Sequence, residues 1–473
     1  MHVNQDTHYL AAELVAQILQ DRGYESYIIG GAVRDLLLNH PPKDYDIVTN
    51  AKPEDLLKIP EFVNPKYTDP AQAYGVTRAK IAVANELVPI EITTYRKDIE
   101  SHLGRKLTKI VFADIADDIE RRDFTINALA LDPLNHFLLD EVGGLDDLDK
   151  RYIRFIGKPE IRIKEDPLRV LRAIRFKSRL GFRYADDTFD ALTQSISNGV
   201  LPDIATDRLR NEISSMLIHS TREEALEDLD TFGIIKQILP ELEATKNIDQ
   251  PGRYHSEGDV FRHSTLAVRY LPDQVSERLV WATLLHDIGK APTFTPAEIT
   301  GDRIRFNQHH SESAKLAKII LKRLNFSNKL TDEITWMIHY HMAIAYLPQM
   351  RPGHAANFMN HPAFADLLEL HRADAHAAWN KSDNKISTTE PDLSEIEKIH
   401  DEYKKTQLVQ NSSSLKDIGI DGHWVLENFP DIQKGERLGK VLNELKLSYA
   451  EGNLQTKEDA YYLANKFIQT SNR

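Results

Sequence analysis

Ile28-Ile29-Gly30-Gly31-Ala32-Val33-Arg34-Asp35-Leu36-Leu37-Leu38, followed about a dozen residues later by Lys43-Asp44-Tyr45-Asp46-Ile47-Val48, is the stretch on which the reading of this chain turns. Apolar residues run into two glycines and then into a leucine-rich segment, which predicts a strand, a tight turn and a helix. Glycine lets a phosphate approach the backbone closely, and helix N-terminal amides with Arg34 favour a triphosphate. Gly30 and Gly31 are therefore candidate nucleotide contacts, although a plain tight turn fits the same residues. In the second segment Asp44 and Asp46 are separated by one residue in a predicted strand, so both carboxylates project from one face. With Glu91, in Pro89-Ile90-Glu91-Ile92, as a third carboxylate, they would hold a Mg²⁺ pair that deprotonates a 3′-hydroxyl and steadies leaving pyrophosphate. Asp-x-Asp by itself is common in surface turns; the glycine turn ahead of it makes the combination specific.

Working outward, apolar residues at Leu10, Leu14, Val15, Ile18 and Leu19 predict a first helix over about Tyr9 to Gln20 with one buried face. Strand-like alternation at Tyr27 to Ile29, Tyr45 to Val48, Ile81 to Ala84 and Val88 to Thr93 makes residues 1–149 a small mixed α/β head. From Arg162 the pattern turns helical, with Leu168, Leu171, Ile174 and Leu180 on one stripe, and residues 150–248 read as a helical neck and body. The pattern breaks at Asp249-Gln250-Pro251-Gly252. Eleven of the chain's 19 histidines then lie between His255 and His376, where even scatter would put about five, so residues 249–381 form a separate domain. Residues 382–473, with a polar break at 411–414, read as a helical tail. The fold class is α+β: a small mixed head followed by helical domains.

A chain of 473 residues exceeds what one core normally sustains, so several domains are expected. It holds no cysteine, which excludes disulfides and thiolate metal sites and fits a reducing, cytoplasmic setting. No apolar stretch approaches the roughly 20 residues of a membrane span. A net charge of -13 argues against a protein coated in nucleic acid, so RNA contacts must be local. The candidate segment carries Arg169, Arg172, Arg175, Lys177, Arg179 and Arg183; a solvated helix face is the bland alternative.

Taken together, Gly-Gly-Ala-Val-Arg-Asp and Lys-Asp-Tyr-Asp resemble the class II tRNA nucleotidyltransferases, the bacterial-type CCA-adding enzymes of the polymerase-beta-like superfamily. The resemblance covers roughly residues 25–240 and includes Asp46-Ile47-Val48-Thr49-Asn50-Ala51-Lys52-Pro53-Glu54 and Arg121-Arg122-Asp123-Phe124-Thr125-Ile126-Asn127. It implies that Arg122 faces phosphate and that Asp123 and Asn127 sit near the ribose; a buried Arg-Asp pair is the structural alternative. Glu165-Asp166-Pro167-Leu168-Arg169 matches the family's Glu-Asp-x-x-Arg motif. Cytosine and adenine both offer an exocyclic amine donor beside a ring-nitrogen acceptor, which a carboxylate next to a guanidinium reads. Asp166 and Arg169, three apart on a predicted helix, are that candidate pair, with Arg172 and Arg175 helping to hold the nucleotide. Asp166 also reads as an N-cap ahead of Pro167. The expected substrates are CTP, ATP and tRNA, with the acceptor stem along the basic neck and strong salt sensitivity.

The loop from Thr94 to Val111 keeps Arg96, Asp98 and Arg105 but lacks the Tyr and Arg-Arg-Pro cluster usual in members that add the final A. CC-only or A-only addition therefore stays open, as does open-ended adenylation by a poly(A) polymerase.

Phe261-Arg262-His263, His286-Asp287-Ile288-Gly289-Lys290 and Arg372-Ala373-Asp374 resemble the HD superfamily. Imidazoles and carboxylates suit a first-row divalent metal, such as Mn, Ni or Co, that activates water against a phosphate ester. His310 and His341 are candidates for a second site, and equally readable as ordinary surface or core histidines. The resemblance implies a phosphohydrolase, for instance on 2′,3′-cyclic phosphate RNA ends; a noncatalytic RNA-binding protein is the contrasting alternative. Oligomeric state is not legible in the sequence.

Overall fold

The structure, a computed structural model, describes residues 6–66, 75–102, 105–250, 258–378, 380–382, 385–387, 393–410, 415, 418–432, 435–450 and 453–470. The chain divides into two compact units, Met1–Ile238 and Leu239–Arg473.

In the first unit the strands are β1 (Ser26–Ile29), β2 (Asp46–Thr49), β3 (Val63–Lys66), β4 (Val76–Val83), β5 (Glu86–Thr94), β6 (Arg96–His102), β7 (Arg105–Phe112), β8 (Ala130–Asp132) and β9 (Phe137–Leu139). Seven form one sheet in the order β3-β4-β5-β2-β1-β8-β9. β2 runs parallel to β5, and β1 is antiparallel to both β2 and β8. The central strands bury almost every side chain, as in Ile28, Ile29, Ile47 and Val48, which explains their near-continuous apolar reading. The helix Thr7–Gln20 packs on this sheet, and Asp6 caps it by accepting from Tyr9 N at 2.7 Å. Its buried stripe uses Tyr9, Ala11, Ala12, Val15, Ala16, Ile18 and Leu19, whereas Leu14 is 37% exposed. The small alanines let the helix lie close, turning the expected leucine outward.

Two other expectations are corrected. The Thr94 to Val111 segment is a hairpin, β6 against β7, rather than a loop; the side chains of Asp98 and Arg105 lie outside the described residues. Asp44 precedes β2 instead of lying in it. The intervening Tyr45 is buried edge-on against Tyr9 with ring centroids 5.7 Å apart.

Beyond the sheet, helices Pro159–Glu165 and Arg169–Leu180 are separated by Asp166, Pro167 and Leu168. Proline excludes the helical conformation from the residue before it, and Asp166 accordingly is extended, at φ −144° and ψ 98°. Asp166 and Arg169 thus do not share a helix, contrary to expectation. Helices Thr206–Ile218 and Arg222–Thr231 pack against Arg169–Leu180. A short parallel pair, Tyr152–Ile153 with Arg183–Tyr184, interrupts the otherwise helical neck.

The second unit is built on helices Val260–Arg269, Glu277–Leu285, His309–Arg323, Asn328–Tyr340 and Phe364–Ala377. Asp259, Ser276 and Ser327 cap three of them through side-chain oxygens, each contributing about 1 kcal/mol. Trp281 is fully buried against the edge of Phe326. Further along, Leu415, Ile420, Val425, Ile432, Val441, Leu445 and Leu454 form a separate apolar cluster among the C-terminal helices. Among the described residues no helix is long and apolar enough to cross a membrane.

Candidate functional site

The parallel register of β2 and β5 sets Asp46 directly beside Glu91, and β1 sets Ile29, the residue before the glycine turn, on its other side. Asp46 keeps an open edge to solvent. Packing around its inner side, then the charges of Asp44 and Glu91, raise its carboxyl to about 6, with Arg122 pulling the other way. A carboxyl lifted by burial and by two neighbouring carboxylates marks a place that favours a cation. Glu91 also pairs with exposed Arg78 at 3.0 Å.

Gly30 adopts φ +83°, a left-handed conformation that only glycine takes without strain, and its amide donates to Leu129 O at 3.3 Å. A Cβ there would stand 3.5 Å from Arg122 Nη1, so the turn and Arg122 face each other. Arg122 is anchored by the fully buried Asp118, at 3.1 Å, while its buried Nε has no hydrogen-bond partner among the described residues. A largely buried guanidinium with unspent donors suits an anionic ligand.

Arg34 is only 8% exposed and its fork is directed inward, to Asp35 and, at 2.6 Å, to Asn127 Oδ1. Asn127 donates to Asp123 Oδ1 at 3.3 Å, and Asp123 Oδ2 accepts from Arg172 at 2.7 Å. Arg175 in turn donates to Glu212 at 2.6 Å. Arg34, Arg172 and Arg175 surround the ring of Phe176 at 5.3, 5.4 and 4.4 Å. These residues form one network joining the glycine turn to the helix Arg169–Leu180. The buried Arg-Asp pair that the sequence raised does exist, but Asp123 makes it with Arg172.

Four cations of the basic run are held by protein partners. Arg172, Arg175, Lys177 and Arg179 are engaged by Asp123, Glu212, Asp228 and Ser215. Asp166 and Arg169 are likewise held by others. Asp166 receives a two-pronged bond from Arg208, at 2.8 and 3.1 Å, and its Oδ1 accepts from Leu168 N. Arg169 bonds Glu165 and the carbonyls of Arg162 and Arg121. Arg208 and Glu212 were missed from sequence. Their signal was present, opposite charges four apart on the helix Thr206–Ile218, but nothing in the sequence named their partners.

In the second unit His263, His286, Asp287, His309 and His341 are all buried, with Asp374 at the edge. His263 Nε2 lies 2.9 Å from Asp374 and 3.6 Å from Asp287; His286 Nε2 lies 3.2 Å from Asp287. On the other side His309 and His341 Nε2 lie 3.3 and 3.9 Å from Asp287 Oδ1. The donor atoms make two metal-sized triads, His263-His286-Asp287 and Asp287-His309-His341. The second uses His309, not His310. The helix His309–Arg323 starts there, and the turn of about 100° per residue carries His310 toward His339 instead.

His286, His309 and His341 place Nδ1 at 2.7, 3.0 and 2.7 Å from the carbonyls of Thr283, Phe306 and Ile338. Donation there leaves each Nε2 lone pair facing inward, the tautomer a metal ligand needs. Apart from the close approaches given above, His286 Nε2 and Asp287 Oδ1 are buried without a hydrogen-bond partner among the described residues. Burial alone would discharge the His286 imidazole, but Asp287 and Asp374 outweigh it and lift the group to about 10. Burial and the charge of His286 push His341 down to about 3. Carboxylates that favour added positive charge at His286 fit a divalent cation at this centre. Lys290 secures Asp287 at 2.7 Å and also donates to Gln250. Gly289 makes the packing feasible. Any Cβ there would meet His309 O and Ser313 N at 2.4 Å, and its amide donates to Ser313 Oγ at 2.8 Å. A cavity of about 470 Å³ opens over the centre, bordered by Arg303, Phe306 and Met342.

Residues 26–154 match the family described as Poly A polymerase head domain, 181–246 the probable RNA and SrmB-binding site of polymerase A, and 254–353 the HD domain. The chain is 36% identical over 273 residues to a CCA-adding enzyme of Geobacillus thermodenitrificans, covering 57% of this chain and 61% of that one. It is 31% identical over 341 residues to a Multifunctional CCA protein of Legionella pneumophila, covering 69% and 77%. Its fold is similar to the Bacillus stearothermophilus CCA-adding enzyme in complex with CTP, with a TM-score of 0.66 at 22% identity over 99% of each chain. It is also similar to the Thermotoga maritima CCA-adding enzyme complexed with tRNA, with a TM-score of 0.53 at 20% identity over 97% and 95%.

Proposed function

The chain belongs to the CCA-adding enzyme family, and from that premise we propose that it adds C and A to the 3′ end of tRNA without a nucleic-acid template, taking CTP and ATP as substrates. The observation that carries the reading is the register placing Asp46 beside Glu91 at the end of the strand next to the glycine turn. Asp44, Asp46 and Glu91 would hold Mg²⁺, which when bound lowers the pKa of the attacking 3′-hydroxyl and screens the leaving pyrophosphate. Gly30 and Gly31 give the triphosphate its close approach, and Arg122, fixed by Asp118, binds it. Arg34, Asp123, Asn127, Arg172 and Arg175 act as one frame that keeps the turn and the neck helix in register. Asp166 and Arg169 read the base edge, accepting from the exocyclic amine and donating to the ring nitrogen.

The test is incubation of the protein and Mg²⁺ with tRNA lacking its 3′ end, with CTP, ATP or both, resolved at single nucleotides. Two additions with CTP and a third only with ATP are expected. A stop after CC, or A added only to tRNA ending in CC, would assign half the reaction, and a long A ladder would point to a poly(A) polymerase. Asp44→Ala should abolish incorporation; an unaffected variant removes the mechanism.

For the second unit the proposal is a hydrolase of phosphate esters using Mn, Ni or Co. It is supported by two histidine pairs flanking Asp287 with inward-facing Nε2 atoms. Metal analysis should show loss of bound metal in His286→Ala. Equal metal content in both proteins would refute a metal centre.

A further inference from the structure

Asp166 and Arg169 are both bound to protein before any base arrives, and only part of their hydrogen-bonding capacity is left for it. A carboxylate has about two acceptor positions per oxygen and a guanidinium five hydrogens. Asp166 Oδ1 accepts from Arg208 Nη1 at 3.1 Å and from Leu168 N at 3.2 Å, which fills it. Oδ2 accepts from Arg208 Nη2 at 2.8 Å, which leaves one position. On Arg169, Nη1 gives its hydrogens to Arg162 O and Glu165 Oε2, both at 2.8 Å, and Nη2 gives one to Arg121 O at 2.9 Å. One Nη2 hydrogen and the Nε hydrogen remain.

We infer that Arg208 is a positioning residue for base choice: its fork fixes the plane of Asp166 and, together with Leu168 N, occupies all but one of the carboxylate's acceptor positions, so the pair presents one acceptor beside a guanidinium donor. That complement fits a base with an amine next to a bare ring nitrogen, cytosine or adenine. It rejects uracil, whose carbonyl would face the open Oδ2 position and whose N–H would face a donor. Without Arg208, Asp166 can rotate and offer either oxygen, and the fixed complement is lost. The Arg208–Asp166 pair is 43% and 29% exposed, and ion pairs so open to water contribute little to folding. Its worth therefore lies in orientation. The inference rests on the reading of Asp166 and Arg169 as the base-reading pair.

The test compares wild type, Arg208→Gln and Arg208→Lys as full chains on tRNA lacking its 3′ end, with CTP, ATP and UTP offered separately. Wild type must first add C and A; if it adds neither, the proposed function itself fails and this inference with it. In Arg208→Gln the KM for CTP should rise about tenfold with a smaller change in kcat, and incorporation of UTP relative to CTP should rise about tenfold. Arg208→Lys keeps the charge without the fork, so it should recover part of the KM but not the discrimination against UTP. An Arg208→Gln protein with wild-type KM and UTP rejection overturns the inference. So does a loss confined to kcat and accompanied by a lowered melting temperature, which would mark a merely structural contact.

Discussion

Replacing Asp123 with Asn takes from the Arg172 guanidinium its nearer charged partner and leaves only the longer contact to Glu212 at 3.8 Å, in a region where Asp123 itself is only 8% exposed. Burial works to raise the Asp123 carboxyl, and Arg172 with hydrogen bonds from Phe124 and Asn127 outweighs it, so the group lies below its ordinary value. A depressed carboxyl stabilises the fold fully above the unfolded pKa of about 3.9 and loses that contribution as pH falls through the lower folded value. Asp123→Asn should therefore cost about 2 kcal/mol near neutral pH, less than a fully buried pair because Arg172 is a third exposed. The gap should narrow below about pH 4. Urea unfolding of both proteins at several pH values checks this, and a gap that does not change with pH would contradict it. At this scale the sequence was legible where chemistry is local. Gly30, Asp44 and Asp46 are candidates because a glycine turn and an Asp-x-Asp pair stand about a dozen residues apart; neither motif is specific by itself. Arg172 as the partner of Asp123 and Arg208 as the partner of Asp166 lie 49 and 42 residues away, and no periodicity encodes such pairings.

Between elements, Gly289 is where the turn after His286-Asp287 touches the start of the helix His309–Arg323. Gly289→Ala forces that helix outward, since a methyl cannot occupy a point 2.4 Å from two backbone atoms. Overpacking of this kind costs about 1–3 kcal/mol. Because His309 rides on the displaced turn, the expected result is a lower melting temperature together with reduced metal content. A variant that melts lower but binds metal as before would separate the packing from the site. Element existence was readable from apolar spacing: the first helix, β1, β2 and β5 lie where that spacing put them, within a residue or two. Faces and phases were less so. Leu14 turned outward because alanines allow close packing, His310 turned away because of its place in the helical turn, and Asp166 left its helix because Pro167 follows it.

For the whole molecule, a net charge of -13 and a neck whose cations are engaged by Asp123, Glu212 and Asp228 limit how many phosphates the protein can neutralise. Six or more phosphate contacts would cost about a thousandfold or more in affinity between about 50 and 200 mM salt. The expectation drawn from the basic run is accordingly revised: tRNA affinity should fall by clearly less over that range. Filter binding across a salt series decides it, and a thousandfold loss would mean that the neck arginines exchange their acidic partners for RNA. The composition had fixed the sign of the overall charge but not which arginines remained available, because that depends on acids elsewhere in the fold. The Asp287 carboxylate borders both histidine pairs, so two cations, if both bound there as the proposed function allows, would not load as independent equilibria. The first would neutralise the shared ligand and weaken its pull on the second while holding it in place, a thermodynamic linkage that acts equally in both directions. A shortage of metal would then empty the centre in steps of unequal affinity, with a half-loaded form as a distinct species.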